Sequence, residues 1–277
     1  MNRKEFLKVA ALAVSGGMLA TTSYLAINDE SQDPVVDRVP IRLKNLHPAL
    51  EGFTILQMTD LHLYPMTQPP LIKKAVAMAN SLKPDLVVLT GDYVWQVLEA
   101  IDELAPILAN LNARYGVYST LGNHDYWLDA DVITATMEAA GLPVLVNQGL
   151  TIQQGGGSFY LAGLDDGWSG NPDLDATLEG SKAEDPVILL CHEPDLADPF
   201  SKDGRVDVQL SGHTHGGQIR IPGIGALILP YLGRKYDIGL YRVNDMLLYT
   251  NRGLGVISEP VRYNCPPEIT QFVLQMA

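Results

Sequence analysis

The stretch Val117-Tyr118-Ser119-Thr120-Leu121-Gly122-Asn123-His124-Asp125 is a strand-like run that ends abruptly in polar side chains able to bind a metal ion. The pattern recurs along the chain, and five of the six histidines fall within such motifs. The other motifs that end apolar runs are Asp60-Leu61-His62, Gly91-Asp92, His192 and Gly212-His213-Thr214-His215. Runs of this kind are typical of buried strands that deliver side chains to one edge of a sheet.

The side chains at these strand ends are ligand types that suit zinc, manganese and iron. The candidate ligands are Asp60, His62, Asp92, Asn123, His192, His213 and His215. They are too many for one tetrahedral site, which takes four ligands. They are enough for two neighbouring metal ions, which can stabilise both the attacking and the leaving oxygen of a phosphoryl displacement.

Strand and helix patterns alternate around these motifs. Strands are predicted over 53–59, 85–90 and 117–121, with helices over 70–81 and 97–113, the second kinked or broken near Pro106. Such alternation predicts a parallel core whose ligands bind beyond the carboxyl ends of the strands. A further helix is predicted over 131–140, after which the chain becomes rich in strands. We predict an α/β fold, a four-layer sandwich of two facing mixed β-sheets flanked by helices, in one domain over residues 31–277.

Charge and cysteine content exclude some functions. The chain has 277 residues and a formal net charge of −13, so its surface repels polyanions and nucleic acid is not an expected partner. Two cysteines are too few for a disulfide framework. Cys191 precedes His192, which allows a thiol nucleophile with its base. Because adjacent strand residues point to opposite faces, a buried core thiol is the favoured interpretation.

Residues 1–30 have the pattern of an export signal or membrane anchor. Asn2 to Lys8 is basic, and Val9 to Ile27 is small, apolar and free of charge. The segment resembles a twin-arginine signal at Phe6-Leu7-Lys8, with Lys4 in place of the second arginine. The apolar run approaches the roughly 20 residues that span a bilayer. We expect an exported protein in the periplasm or at the membrane, which uses the export machinery and retains or slowly loses this segment.

In order, the motifs Asp-x-His, Gly-Asp, Gly-Asn-His-Asp, His and Gly-His-x-His resemble the full signature of the calcineurin-like metallophosphoesterase superfamily. The resemblance covers roughly Phe53 to the C-terminus, and the five motifs together are far more specific than any one. The stretches 212–218, 252–255 and 260–262 are more specifically similar to the membrane-associated bacterial branch. That branch includes lipid-linked phosphodiesterases and enzymes that resemble UDP-2,3-diacylglucosamine pyrophosphatase.

The resemblance implies two divalent metal ions, which could be manganese, iron or zinc. It implies that Asp60, His62 and His215 hold one ion, that Asn123, His192 and His213 hold the other, and that Asp92 bridges them. With two aspartates and a bridging hydroxide, the filled site would carry a net charge of about +1, which favours a phosphate anion.

Four further residues are candidates for catalysis or substrate binding. His124 is expected to serve the leaving-group oxygen as general acid or hydrogen-bond donor, with Asp125 orienting that imidazole or raising its pKa. Arg252 and Arg262 are candidate substrate contacts because a guanidinium matches phosphate with two parallel hydrogen bonds. Surface salt bridges are an equally good interpretation of the two arginines.

The segment from Gly216 to Tyr236 is apolar, rich in glycine and proline, and starts directly after a candidate ligand. It fits an apolar lip over the metals that admits an acyl chain or touches a bilayer. It fits an internal core strand equally well.

The sequence therefore predicts an enzyme that hydrolyses a phosphodiester or pyrophosphate through a hydroxide that bridges two metals. The substrate would be a small-molecule or lipid phosphoester, with a lipid-linked or nucleotide-sugar ester at the membrane surface favoured. A phosphomonoesterase of broad specificity would use the same metals, so the ligands do not distinguish the two. A non-catalytic metal-binding scaffold fits less well, because scaffolds of this superfamily usually lack ligands or the Asn-His pair.

Overall fold

The computed structural model describes residues 28–277, so most of the predicted signal segment lies outside the described residues. The described chain forms two large sheets and a short ribbon. The strands are β1 (Val35–Leu43), β2 (Thr54–Met58), β3 (Leu86–Thr90), β4 (Val117–Thr120), β5 (Gln148–Gln154), β6 (Gly157–Gly163), β7 (Val187–Leu190), β8 (Val208–Ser211), β9 (Arg220–Ile221), β10 (Gly225–Ala226), β11 (Gly239–Val243), β12 (Met246–Thr250) and β13 (Glu268–Met276). The α-helices are α1 (Pro69–Ser81), α2 (Ala100–Leu108), α3 (Asn123–Leu128), α4 (Ala130–Ala139), α5 (Leu174–Thr177) and α6 (Ala197–Asp203).

The first sheet has the strand order β1-β13-β2-β3-β4. Strands β2, β3 and β4 run parallel, as the strand–helix alternation predicts, and β13 pairs antiparallel with β2. The second sheet has the order β11-β12-β8-β7-β6-β5, with a parallel centre and antiparallel pairs at both edges. Both sheets are therefore mixed.

The inner faces of the two sheets pack against each other in one buried apolar cluster. Ile55 and Val88 of the first sheet meet Ile188 and Leu210 of the second there. The next residue on each strand points the opposite way, because side chains alternate along a strand. Leu56 thus packs with helices α1 and α2, and Leu189 packs with α6. The predicted four layers, helices outside two facing sheets, are confirmed.

Local differences from the sequence expectations have physical causes. Helix α2 ends at Leu108, well before Ala113, because Pro106 lies inside it and cannot supply a backbone N–H. The side chain of Asn110 donates to the carbonyl oxygen of Pro106 at 2.7 Å, which satisfies that end of the helix. The residues before His47 form a full edge strand, β1, which is in register with β13 over its whole length.

The interpretation of residues 216–236 as an internal strand is wrong. The segment forms only the two-residue ribbon β9–β10. Its apolar side chains Ile224, Leu227 and Ile228 are 73%, 58% and 82% exposed. The segment is therefore an apolar surface element.

Candidate metal centre

Strand ends from both sheets deliver the seven candidate ligands to one place. Asp60 and His62 follow β2, Asp92 follows β3, and Asn123 follows β4. From the second sheet, His192 follows β7, and His213 and His215 follow β8. Each of the seven residues is at least 96% buried. The sheets thus meet at this edge around a concentrated group of carboxylates, imidazoles and one amide.

The backbone at this edge adopts a conformation that L-residues seldom occupy. Five candidate ligands lie in the left-handed region, namely Asp60, His62, Asp92, His213 and His215, with φ from 45° to 74°. Such conformations cost roughly 1–3 kcal/mol each and persist where the surrounding structure enforces them, often at functional sites. Here they turn the chain sharply as each strand ends, so that the side chains face the centre.

Two glycines of the motifs allow this convergence. A Cβ atom on Gly122 would lie 2.4 Å from Oδ1 of Asp92 and 2.8 Å from Cε1 of His192. A Cβ atom on Gly212 would lie 2.2 Å from Oδ2 of Asp60. The glycines are therefore required by the close approach of the backbone to the ligands, which accounts for Gly-Asn-His-Asp and Gly-His-x-His.

The candidate ligands form two groups with Asp92 between them. Donor atoms of Asp60, His62 and His215 lie within 4.8 Å of one another, as do those of Asp92, His192 and His213. Oδ2 of Asp92 lies 3.1 Å from Nε2 of His192 and 3.3 Å from Nε2 of His62, one imidazole from each group. A carboxylate in this position can serve two cations at once.

Unpartnered buried atoms test whether metal ions fit these residues. Among the described residues, Nε2 of His62, Oδ1 of Asn123, Nε2 of His192 and Nε2 of His215 are buried with no hydrogen-bond partner. Leaving a buried polar group unpaired costs roughly 1–3 kcal/mol, so native proteins avoid it. Four such atoms converging beside two carboxylates are what a pair of divalent cations would satisfy.

Two histidines are held in the tautomers that metal binding needs. Nδ1 of His192 lies 2.7 Å from the carbonyl oxygen of Thr90, so it carries the proton and leaves Nε2 as a lone-pair donor. Nε2 of His213 lies 2.7 Å from the carbonyl oxygen of Tyr231, which leaves Nδ1 as the donor. Such contacts fix both the ring orientation and the ligating nitrogen.

The electrostatics favour the protonation states of ligands at every titratable candidate except His192. Burial raises the pKa of Asp60 and Asp92, but the neighbouring imidazoles more than reverse this and hold both below their ordinary value. Burial lowers the pKa of His62 and His215, and it lowers that of His213 to about 4. Burial also lowers the pKa of His192, but Asp92 and Asp60 outweigh it and raise that pKa. Ionised carboxylates and neutral imidazoles are the forms that bind cations.

His124 lies where a leaving group could reach it. Its ring is partly exposed, lines the open cavity above the ligands, and stacks on Trp95 with ring centroids 5.1 Å apart. Its backbone N–H donates to Oδ1 of Asp92 at 2.9 Å. The imidazole therefore faces substrate while the backbone of the same residue orients a candidate ligand.

Asp125 does not orient the His124 imidazole, which corrects the sequence expectation. Its buried carboxylate accepts the backbone N–H groups of Asp92, Tyr93 and Gly122, each at 2.9 Å. Burial and repulsion from Asp92 raise the pKa of Asp125 to about 8, and the N–H donors oppose that shift. Asp125 lies in the first turn of α3 and is therefore placed to position the loop that carries Asp92.

The two arginines do not reach the open face of the site, which corrects their assignment as substrate contacts. Arg262 is fully buried and donates to the carbonyl oxygens of Arg252, Gly255 and Cys265. Arg252 pairs with the carboxylates of Glu268 and Asp37. Both guanidinium groups are occupied by the protein itself and brace the loops beside His215.

Aromatic residues that sequence reasoning missed surround the site. All three tryptophans of the chain, Trp95, Trp127 and Trp168, line a cavity of about 290 Å³ above the candidate ligands. The rings of Trp127 and Trp168 meet edge to face at 5.1 Å, and Trp168 lies 5.8 Å from the ring of His213. Trp95 and Trp127 each follow a ligand motif within a few residues, which is the signal that could have found them.

Comparison with known proteins agrees with this geometry. The family model for calcineurin-like phosphoesterases matches residues 53–217. The chain is 36% identical to the metallophosphoesterase YkuE of Bacillus subtilis (strain 168), over 99% of this chain and 98% of that protein. It is 31% identical to the phosphodiesterase YaeI of Escherichia coli (strain K12), over 99% of each.

A solved structure supports the fold. The crystal structure of a dimetal phosphatase from Danio rerio aligns with a TM-score of 0.50, covering 77% of this chain and 94% of that one at 13% identity. The superfamily resemblance of the five motifs is confirmed, while the finer likeness to the lipid-related branch stays a prediction. A family model that covers more than half of the chain, with relatives above 30% identity along nearly all of it, shows that the chain belongs to the calcineurin-like phosphoesterase family and is a phosphoric ester hydrolase.

Proposed function

We propose that this protein is a dimetal phosphodiesterase whose substrate carries a lipid or nucleotide-sugar group and is hydrolysed at a membrane surface. Asp60, His62 and His215 would hold one ion, and Asn123, His192 and His213 would hold the other, with Asp92 between the two groups. The observation that carries the proposal is the set of buried, unpartnered donor atoms on both sides of Asp92. Manganese, iron and zinc all suit these ligands.

Two bound cations would supply Lewis-acid charge at the phosphoryl oxygens and an activated water molecule near neutral pH. The chain's own residues orient these partners. Asp92 spaces the two groups, and Asp125 fixes the loop that carries Asp92. His124 stands at the cavity wall, where burial lowers the pKa of its imidazole to about 4, so that the neutral ring can donate a hydrogen bond to the departing alcohol oxygen.

The composition of the cavity favours a phosphodiester over a phosphomonoester. A monoester carries close to two negative charges at neutral pH, whereas a diester carries one. Apart from candidate ligands, His124 and Ser258, the described residues that line the cavity are tryptophans or apolar, and they include no lysine or arginine. Arg252 and Arg262 are occupied inside the protein, so no cationic side chain of that lining matches the second charge of a monoester.

Exposed apolar side chains around the cavity motivate the membrane part of the proposal. Ile224, Leu227, Ile228 and Tyr231 are each more than half exposed on one segment beside the site. Together with the predicted export signal of residues 1–30, they support an exported protein at the membrane or in the periplasm. Among residues 28–277, no helix has the length and apolar character to cross a bilayer.

The test is metal-dependent hydrolysis by the purified full chain. The protein is stripped with chelator, reloaded with Mn²⁺ and offered bis-p-nitrophenyl phosphate or p-nitrophenyl phosphate, beside an Asp92→Asn variant. We expect diester hydrolysis that returns with metal, exceeds monoester hydrolysis and falls at least 100-fold in the variant. A preference for the monoester would replace the diesterase by the broad phosphomonoesterase. Failure to bind metal would refute the dimetal assignment.

A further inference from the structure

A second cavity, of about 300 Å³, begins beside the metal centre. Its apolar lining comes from Ile219, Leu227, Ile228, Pro230 and Ile257, and Glu259 contributes a carboxylate at its edge. His215, Pro230, Ile257 and Ser258 line this cavity and also the cavity above the candidate ligands. A ligand could therefore extend from the phosphorus position into the second cavity without leaving the protein surface.

One wall of this cavity is built by residues that flank the β9–β10 ribbon, with Ile219 before it and Leu227 and Ile228 after it. The chain passes so close over Gly217 that a Cβ atom there would lie 2.5 Å from Cβ of Ala226. Gly217 also has a φ of 77°, which a glycine adopts without strain. The turn after His215 thus brings Leu227 and Ile228 back beside the metal centre, and a side chain at Gly217 would push this wall outward.

The opposite wall of the cavity is formed by residues 257–259, and Gln218 links it to the first wall through hydrogen bonds. Its side-chain amide donates to the carbonyl oxygen of Ile257 at 2.8 Å and to that of Glu259 at 3.2 Å. Its side-chain oxygen accepts the backbone N–H of Ile257. Because Gln218 satisfies these loop groups, the cavity has fixed walls and offers few free hydrogen-bonding groups.

The chemistry of this lining selects among the proposed substrates. A nucleobase or sugar has polar edges that need hydrogen-bond partners, and burying them unpaired would be unfavourable. A hydrocarbon chain needs none and gains free energy from each methylene removed from water. It would also cover Leu227 and Ile228, which are 58% and 82% exposed.

We propose that the cavity between residues 227–230, which follow the β9–β10 ribbon, and residues 257–259 binds a linear alkyl chain carried by one ester group of the substrate. The proposal rests on the dimetal phosphodiesterase function and narrows its substrate to a phosphodiester with a lipid-like alcohol. Hydrolysis then breaks one P–O ester bond, the oxygen of water forms the new bond to phosphorus, and the departing alcohol takes a proton.

The test uses a homologous series of alkyl p-nitrophenyl phosphates, from methyl to octyl, at concentrations below those at which they aggregate. In these diesters p-nitrophenolate departs and the alkyl group stays on phosphorus. About 0.8 kcal/mol per buried methylene corresponds to a roughly fourfold rise in kcat/KM per added carbon until the cavity is full. Equal kcat/KM for the methyl and octyl esters would overturn the proposal.

Matched variants test whether this cavity causes the dependence of kcat/KM on chain length. We expect Leu227→Asp and Ile228→Asp to flatten the chain-length series, so that the ratio of kcat/KM for the octyl ester to that for the methyl ester falls toward one within each variant. Ile224→Asp is the control, because Ile224 is 73% exposed on the same turn and does not line the cavity. Equal flattening by Ile224→Asp would overturn the cavity and indicate a general surface effect.

A binding measurement, which needs no catalytic turnover, distinguishes the alkyl-chain site from the phosphodiesterase activity on which the proposal rests. Calorimetric binding of octyl phosphate and methyl phosphate to the Mn²⁺-loaded protein should differ by at least 100-fold in Kd, and Ile228→Asp should remove most of the difference. Chain-dependent binding without any diester hydrolysis would uphold the alkyl site and refute the diesterase. Hydrolysis without chain-dependent binding or rate would uphold the diesterase and refute the alkyl site.

Discussion

The carboxylate of Asp125 accepts the backbone N–H of Asp92 at 2.9 Å, which ties the start of α3 to the residue between the two metal groups. In Asp125→Asn, an amide NH₂ would replace one oxygen and face either the N–H donors of Asp92 and Gly122 or that of Tyr93. Outer contacts of metal ligands typically contribute 10- to 100-fold to metal affinity or activity. We expect a loss of that size in metal affinity, measured by metal stoichiometry after dialysis, with a matching fall in kcat.

Asp129→Asn is the control for this prediction. Asp129 also accepts a backbone N–H at a helix start, that of Val132 at 3.1 Å, but it lies at the surface. Because asparagine caps helices about as well as aspartate, metal content and activity should be unchanged. Normal metal binding in Asp125→Asn would show that the carboxylate does not position Asp92.

Gly122→Ala should remove metal binding while the fold survives. The added Cβ would lie 2.4 Å from Oδ1 of Asp92 and 2.8 Å from the ring of His192, one carboxylate and one imidazole of the second group. We expect at least a 100-fold loss of activity and a metal content of at most one ion per chain. The control is Gly141→Ala, where nothing lies within 4 Å and only backbone strain is added. A fully loaded, active Gly122→Ala protein would contradict the close approach.

The ligand set could be predicted from the sequence because each ligand directly follows a buried strand. Parallel strands bring their carboxyl ends to one edge, so strand order along the chain placed Asp60, Asp92 and Asn123 together. The alternation of strand and helix patterns likewise predicted sheets flanked by helices, and the alternation of side chains along a strand explains why Ile55 and Leu56 pack in different layers.

Contacts distant in sequence could not be predicted in this way. Asp125 has its Asp92 partner 33 residues earlier, and nothing in Asn-His-Asp separates that role from a contact to the adjacent imidazole. Arg262 looked like a phosphate contact because its type suits phosphate, but burial decided its role. The ligating nitrogen of His213 depends on Tyr231, in a segment without strong periodicity.

Metal removal should lower the thermal stability of the protein. Ligand binding to the folded state stabilises it by RT ln(1 + [L]/Kd), which is about 2.7 kcal/mol at 100 times the Kd. Differential scanning calorimetry with chelator and with Mn²⁺ should therefore show a higher Tm with metal. Protons compete with metal for the imidazole of His192, whose pKa is raised, whereas the pKa of His213 is lowered to about 4, so the Tm difference should shrink modestly between pH 7 and 5 and further near pH 4. A Tm indifferent to Mn²⁺ in the unmodified protein, or a Tm that still rises in Asp92→Asn, would contradict the site.

Arg252→Ala should reduce stability and leave substrate binding nearly unchanged. The guanidinium pairs with Glu268, whose side chain is only 1% exposed, so the substitution leaves a buried carboxylate without its charged partner, with the hydroxyls of Tyr249 and Thr270 still donating to it. Breaking a buried pair costs about 3 kcal/mol or more, which corresponds to roughly 6–12 °C in Tm for a chain of this size. Arg205→Ala is the control, because Arg205 is 45% exposed in its pairs with Asp175 and Asp203, and surface pairs contribute at most about 1 kcal/mol. A raised KM for an anionic diester with an unchanged Tm would return Arg252 to the substrate, since only a guanidinium free of Glu268 could bind phosphate.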